Sequence, residues 1–133
     1  RLAPCGIVMT HGAPDAASAA AFEQLRFSGP CPQRGLLLSL MSRYGFYGEE
    51  DEALLAALSD DECRYSLLLH GHDREEEGHS PSGAVALLLC TSFGARQPRK
   101  TYAWLDLSRR YESLEALYTS GALRRLWPEL VDR

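Results

Sequence analysis

The chain has no asparagine, a single lysine (Lys100) and a single isoleucine (Ile7) in 133 residues. All three residue types have AT-rich codons, so their scarcity beside abundant Arg, Ala, Leu and Gly points to a GC-rich coding region. A GC-rich DNA virus, a GC-rich bacterium and a GC-rich stretch of a vertebrate genome would each leave that bias. The near absence of lysine, with a net charge of -4, argues against a dedicated nucleic-acid binder. No apolar run approaches the roughly 18 residues of a membrane-spanning helix; the longest pure one is Ala84–Cys90. Residues 1–10 lack the basic, apolar, small-residue order of a secretory signal. The glycine-rich phosphate loops G-x-x-x-x-G-K-[ST] and G-x-G-x-x-G are missing, and so is the G-x-S-x-G of a serine nucleophile elbow. Cys5, Cys31, Cys63 and Cys90 are widely spaced and contain no C-x-x-C. Cys63 and Cys90 fall in runs that read as core strands, where free Cys acts as a small hydrophobe, so reduced thiols in an intracellular protein are expected.

What is present is a chain of one-domain length whose charges are grouped. Acid gathers at 49–52, 60–62 and 75–77; base gathers at Arg96, Arg99, Lys100, Arg109 and Arg110, and again at Arg124 and Arg125. Such grouping suits polar binding surfaces. The chain opens on Arg1 rather than Met, so the expectation is one domain over 1–133 taken from a longer chain.

Periodicity predicts helices over Ala16–Arg26 and Arg34–Tyr44, the second stopped by Gly45, and a third from Glu49–Glu52 to Leu58 with acid at its positive end. The period then shortens. Cys63–His70 alternates as a strand, Ala84–Ser92 is apolar throughout and reads as a central strand, and Thr101–Leu107 alternates again. Gly71–Gly83 reads as a mobile polar loop. Ser108 is placed to cap a helix bearing Tyr111, Leu114, Leu117 and Tyr118. Leu123, Leu126, Trp127, Leu130 and Val131 then form a last helical stripe bent at Pro128. The connections look too short for crossover helices. The expected fold is therefore α+β: a small three-stranded antiparallel sheet with helices packed on one side.

Two groups of residues invite a chemical reading. In His70-Gly-His72-Asp-Arg-Glu-Glu76, two His at i and i+2 of an extended segment share a side, and Glu76 or His79 could complete a metal shell. The spacing of His70, His72, Glu76 and Gly83 resembles the first metal-binding motif of the cupins, which implies a divalent Zn, Fe or Mn. The match departs at Arg64, where that motif has Gly, and in the absence of a later His and of any Asn. Cys90 with a distant His is a conceivable nucleophile–base pair, but a Cys ending an apolar strand is ordinarily inert.

The second group is aromatic. Arg43, Tyr44, Phe46 and Tyr47 form a turn ahead of the acidic helix, and Trp104 and Trp127 stand near basic residues. Aromatics and Arg are enriched at interface hot spots. The expectation is a non-enzymatic, intracellular interaction or adaptor domain. It would bind another protein through this aromatic and charged surface, with no cofactor, no nucleic acid and no membrane, and with a homodimer as an option. The alternative is a metal-dependent enzyme or metal-binding domain built on His70, His72, Glu76 and His79.

Overall fold

Ile7–Thr10 forms a strand, β2, and its placement decides the topology. The computed structural model describes residues 2–12, 19–26, 28–41, 49–91 and 94–127. A short strand β1 (Leu2–Ala3) pairs antiparallel with β2 through a turn in which Gly6 takes φ +85° and donates its N–H to the Ala3 carbonyl. Helices α1 (Ala19–Glu23), α2 (Arg34–Met41) and α3 (Glu49–Leu58) follow. Strand β3 (Leu67–His70) then lies parallel to β2, with Ile7 beside Leu67 and Thr10 beside His70. Strand β5 (Ala86–Leu89) runs parallel to β3 on its other side, with His70 beside Leu88. Strand β4 (His79–Pro81) closes that edge antiparallel to β5. The sheet order is β1-β2-β3-β5-β4.

The fold is α+β, but the expected three-stranded antiparallel sheet is wrong. The main sheet is mixed, and its three central strands are parallel. Two features of the chain account for the difference. Helices α1–α3 span the connection from β2 to β3, so the N-terminal apolar run is a core strand and the helices are its crossover. Between β3 and β5 the return is made by β4 itself. It carries the chain back to the amino end of the sheet, so β5 can run parallel to β3 with no helix. The segment expected to be a mobile loop thus holds a strand, fixed by pairs from His79 with Leu89 to Pro81 with Leu87.

Both faces of the sheet are covered, so the helices are not confined to one side. Alternation along the strands sends Val8, Leu68 and Ala86 to the face packed by Leu54, Leu55 and Leu58 of α3. It sends Ile7, Leu67, Leu69 and Leu87 to the opposite face, against Tyr111, Leu117 and Ala122. That second layer contains strand β6 (Thr101–Ala103), helix α4 (Leu114–Thr119) and strand β7 (Leu123–Arg125), with β6 and β7 paired antiparallel in a separate two-stranded sheet. Each buried Leu contributes about 1.5–3 kcal/mol through area removed from water.

The C-terminal expectations shift as well. Helix α4 is capped by Ser113, whose Oγ accepts from the Ala116 N–H at 3.1 Å; Ser108 instead bonds the Asp106 carboxylate within its own turn. The expected last helix begins as strand β7. Gly121 at φ +71° ends α4, and the Arg125 guanidinium donates to the Glu77 and Arg99 carbonyls and to Thr101 Oγ1, so tertiary bonds override the helical spacing. Residues 42–48 and 128–133, with Arg43, Tyr44, Phe46, Tyr47, Leu130 and Val131, lie outside the described residues. No helix among the described residues is long and apolar enough to cross a membrane.

Candidate functional site at the carboxyl edge of the parallel strands

Open sheets with parallel strands place their sites outside the carboxyl ends of those strands, because the connecting loops converge there. In this chain β2 ends at Thr10-His11, β3 at His70-Gly71-His72 and β5 at Leu89-Cys90-Thr91. Three of the four histidines of the chain therefore stand at one edge. A cleft of about 280 Å3 opens beside His70, lined in part by Met9, Leu69, Leu89, Ala103 and Leu105, on the face packed by the C-terminal layer.

His70 is the most constrained of these groups. It is 2% exposed at the end of β3. Its imidazole reaches across the intervening strand β5, and Nε2 lies 2.6 Å from the Ser82 hydroxyl just past β4. Nδ1 faces the Gly71 carbonyl at 3.4 Å. A carbonyl can only accept, so this arrangement puts the ring proton on Nδ1 and leaves Nε2 as an acceptor from Ser82. Burial lowers the His70 pKa from its ordinary value, so the ring is neutral at pH 7 and able to take a proton.

The same face of the sheet carries further polar atoms. Thr10 Oγ1 is buried with no hydrogen-bond partner among the described residues. Asp51, in the first turn of α3, is also buried. The end of α3 is tied to the start of β3 by the Tyr65 N–H donating to Ser59 Oγ at 2.9 Å, so α3 runs antiparallel to β3 and its first turn lies toward the carboxyl edge. Cys90 continues the alternation of β5 by one residue, which sets it on the face of Ala86 and Leu88 and, across the register, of His70. Its N–H donates to the Gly78 carbonyl at 2.8 Å, and the residue is 2% exposed. None of the four cysteines is in a disulfide.

The four predicted metal ligands are not brought together. His72 adopts φ +77°, which breaks the extended alternation that would have aligned it with His70. Its Nδ1 meets Nε2 of His11 instead, with the rings edge to face at 4.3 Å. Glu76 is exposed and pairs with Arg96 at 2.7 Å. His79 turns toward Thr101 Oγ1 at 3.5 Å and packs near Tyr118, its pKa lowered by burial and by the Arg125 charge. Among the described residues no three His, Cys, Asp or Glu side chains are grouped to hold a metal. The residues do not fit the metal that the cupin-like spacing implies.

Of the predicted binding residues, Trp104 and Trp127 are described. Trp104 follows β6 and Trp127 follows β7; both are exposed, with Arg124 over the Trp104 ring at 5.4 Å and Lys100 over the Trp127 ring at 5.9 Å. Sequence reading passed over Ser82 and Thr10, and it left the His that Cys90 would share an edge with unnamed. The signal was present: one apolar run ends in His70 and the next in Cys90. In an antiparallel pair those residues would occupy opposite ends of neighbouring strands. Only the parallel direction puts them at the same end.

Comparison with protein families, with curated proteins and with solved structures finds no match to this chain in any of the three.

Proposed function

We infer that the chain is a hydrolase of the cysteine–histidine type, acting on an amide or ester through Cys90 and His70. The observation that carries this reading is their shared position: adjacent parallel strands, the same carboxyl edge, the same face of the sheet. His70 takes the Cys90 proton, and the thiolate attacks the acyl carbon. The imidazolium returns that proton to the leaving amine or alcohol. Water, losing its proton to the same imidazole, then releases the acid and regenerates the thiol.

Ser82 is nearer to His70, yet the reading favours the thiol as nucleophile. A serine needs an imidazole backed by a carboxylate, whereas Nδ1 of His70 faces a backbone carbonyl. A thiol is far more nucleophilic at neutral pH and needs less help. Ser82 then serves as the resting partner of Nε2, satisfying a buried acceptor until substrate displaces it. Cys90 is covered, so substrate must open that cover to reach it. A thiol nucleophile also suits a reducing, intracellular setting.

The test is incubation with an activated thioester or p-nitrophenyl ester, followed by intact-mass and peptide mapping. An acyl group on Cys90, absent in Cys90→Ala and His70→Ala but retained in Ser82→Ala, is the expected result. Acylation of Ser82, or of no residue, would sink the assignment.

A second reading is favoured by the exposed Trp104 and Trp127. Large aromatics in solvent with cations stacked on them suit a protein-binding surface. On this reading the domain binds another protein through an aromatic and charged face.

A further inference from the structure

The β6–β7 sheet borders a cleft of about 500 Å3, walled by Trp104, the turn over residues 105–111 and the turn from α4 into β7. Two guanidinium groups flank it. Arg109 lies over the Tyr111 ring at 5.7 Å and Arg124 over the Trp104 ring at 5.4 Å. Stacking keeps each planar fork in place and lowers the entropy lost when it binds an anion. Neither is in an ion pair among the described residues; the pairs found there use Arg96 and Arg99.

The carboxylate within the cleft, Asp106, is engaged by its own turn. It accepts from the Ser108 N–H at 2.9 Å and from the Ser108 hydroxyl at 2.7 Å, and these bonds hold its carboxyl below the usual range. Asp106 stays charged and attracts Arg109, so two guanidinium charges against one carboxylate leave the cleft with a single net positive charge. Its lips are apolar, Trp104 at 63% exposed and Leu107 at 50%. Strand β7 is an edge, paired with β6 alone among the described residues, and an edge strand can accept a further extended segment.

The geometry points to this cleft as the docking site for an acidic peptide segment of another protein, its carboxylates received by Arg109 and Arg124 and its apolar neighbours packed on Trp104 and Leu107. The two planar guanidinium forks are matched to carboxylates, which they can receive in bidentate fashion. This rests on the second, protein-binding reading and is independent of His70 and Cys90.

The experiment is fluorescence anisotropy of the 133-residue chain with a short labelled peptide of alternating Glu and Leu, set against its Gln counterpart. The Glu peptide is expected to bind about tenfold tighter or better, as charge-assisted bidentate bonds do. The Arg109→Ala, Arg124→Ala double variant removes that preference, and Trp104→Ala weakens both peptides; circular dichroism checks that each variant is folded. Equal binding of the two peptides would overturn the carboxylate assignment while leaving the protein-binding reading standing. Failure of both peptides to bind would overturn the two together. A Glu-peptide affinity unchanged in the double Arg variant would overturn the cleft as the site.

Discussion

The carboxyl edge of the main sheet and the β6–β7 sheet depart from the usual distribution of residues in opposite directions. At the edge, polar groups that water would solvate are under cover: His70, Thr10 Oγ1 and the Cys90 thiol. On the β6–β7 sheet, apolar rings that the core would accept stand in solvent: Trp104 and Trp127, each beneath a cation. Buried polar groups and exposed large apolar ones are the observations that ordinary folding does not require. On the hydrolase reading, the first arrangement would keep water from the imidazole on which the proposed reaction depends. On the protein-binding reading, the second would offer a surface to a partner. Both occur in one chain: the second layer packs on the sheet through Tyr111, Leu117 and Ala122, while Trp104 and Trp127 beside it are exposed.

The largest disruption of this contrast is expected from Leu87→Ala. Leu87 is fully buried in the core beneath the C-terminal layer, and β5 carries Cys90 just beyond it. Loss of about 2–5 kcal/mol in urea unfolding is expected from the transfer and cavity terms, with both regions failing together.

Gly78→Ala tests how the regions are joined. Gly78 has φ +85°, and an added Cβ would lie 1.8 Å from the Arg99 carbonyl oxygen, while its own carbonyl receives the Cys90 N–H. Strain at such a backbone costs about 1–3 kcal/mol, before any shift of Arg99. The unfolding midpoint in urea falls, and Cys90 amide exchange accelerates.

Acid separates the regions more gently. Burial depresses the folded pKa of His70 and of His79 below the ordinary value of 6.5. The unfolded chain therefore binds more protons than the folded one as pH falls below that value. Stability is fully present above it and is lost as pH falls toward the folded pKa values. Urea midpoints measured from pH 7.5 downward should decline, and less so in His70→Gln. A midpoint that rises on acidification would contradict the burial of both rings. The smallest effect belongs to Trp104→Ala, which should change stability by no more than about 0.5 kcal/mol, as exposed positions do. A larger loss in thermal unfolding would make that ring part of the core.

Some of this was legible in the residues. The acidic start and Leu58 end of α3 are where the pattern put them, and the uniform apolarity of Ala84–Cys90 does mark a strand buried on both faces. The direction of that strand was not legible, because periodicity records which side a residue faces and carries no arrow. Strand β2 was too short to declare its type, and β4, His-Ser-Pro, has no apolar period to detect. Strand β7 is held by the bonds of Arg125 to distant carbonyls, against a spacing that suits a helix. The site followed the topology: His70 and Cys90 each ended a visible run, but their place at the same end of the sheet depended on the parallel register of β3 and β5. The exposed tryptophans needed no topology, only the knowledge that the core was already filled.

The most direct measurement is the rate at which each of the four cysteines reacts with chloroacetamide at neutral pH, read by peptide mass mapping in the native chain and in His70→Gln. Cys31 and Cys63 are partly exposed, whereas Cys5 and Cys90 are buried, and burial raises the pKa of the Cys5 thiol. If His70 activates Cys90, Cys90 reacts faster than its burial permits, ahead of Cys5, and loses that advantage in His70→Gln. If Cys90 reacts only on unfolding, alongside Cys5 and with no dependence on His70, the carboxyl edge is packing and the hydrolase reading is wrong.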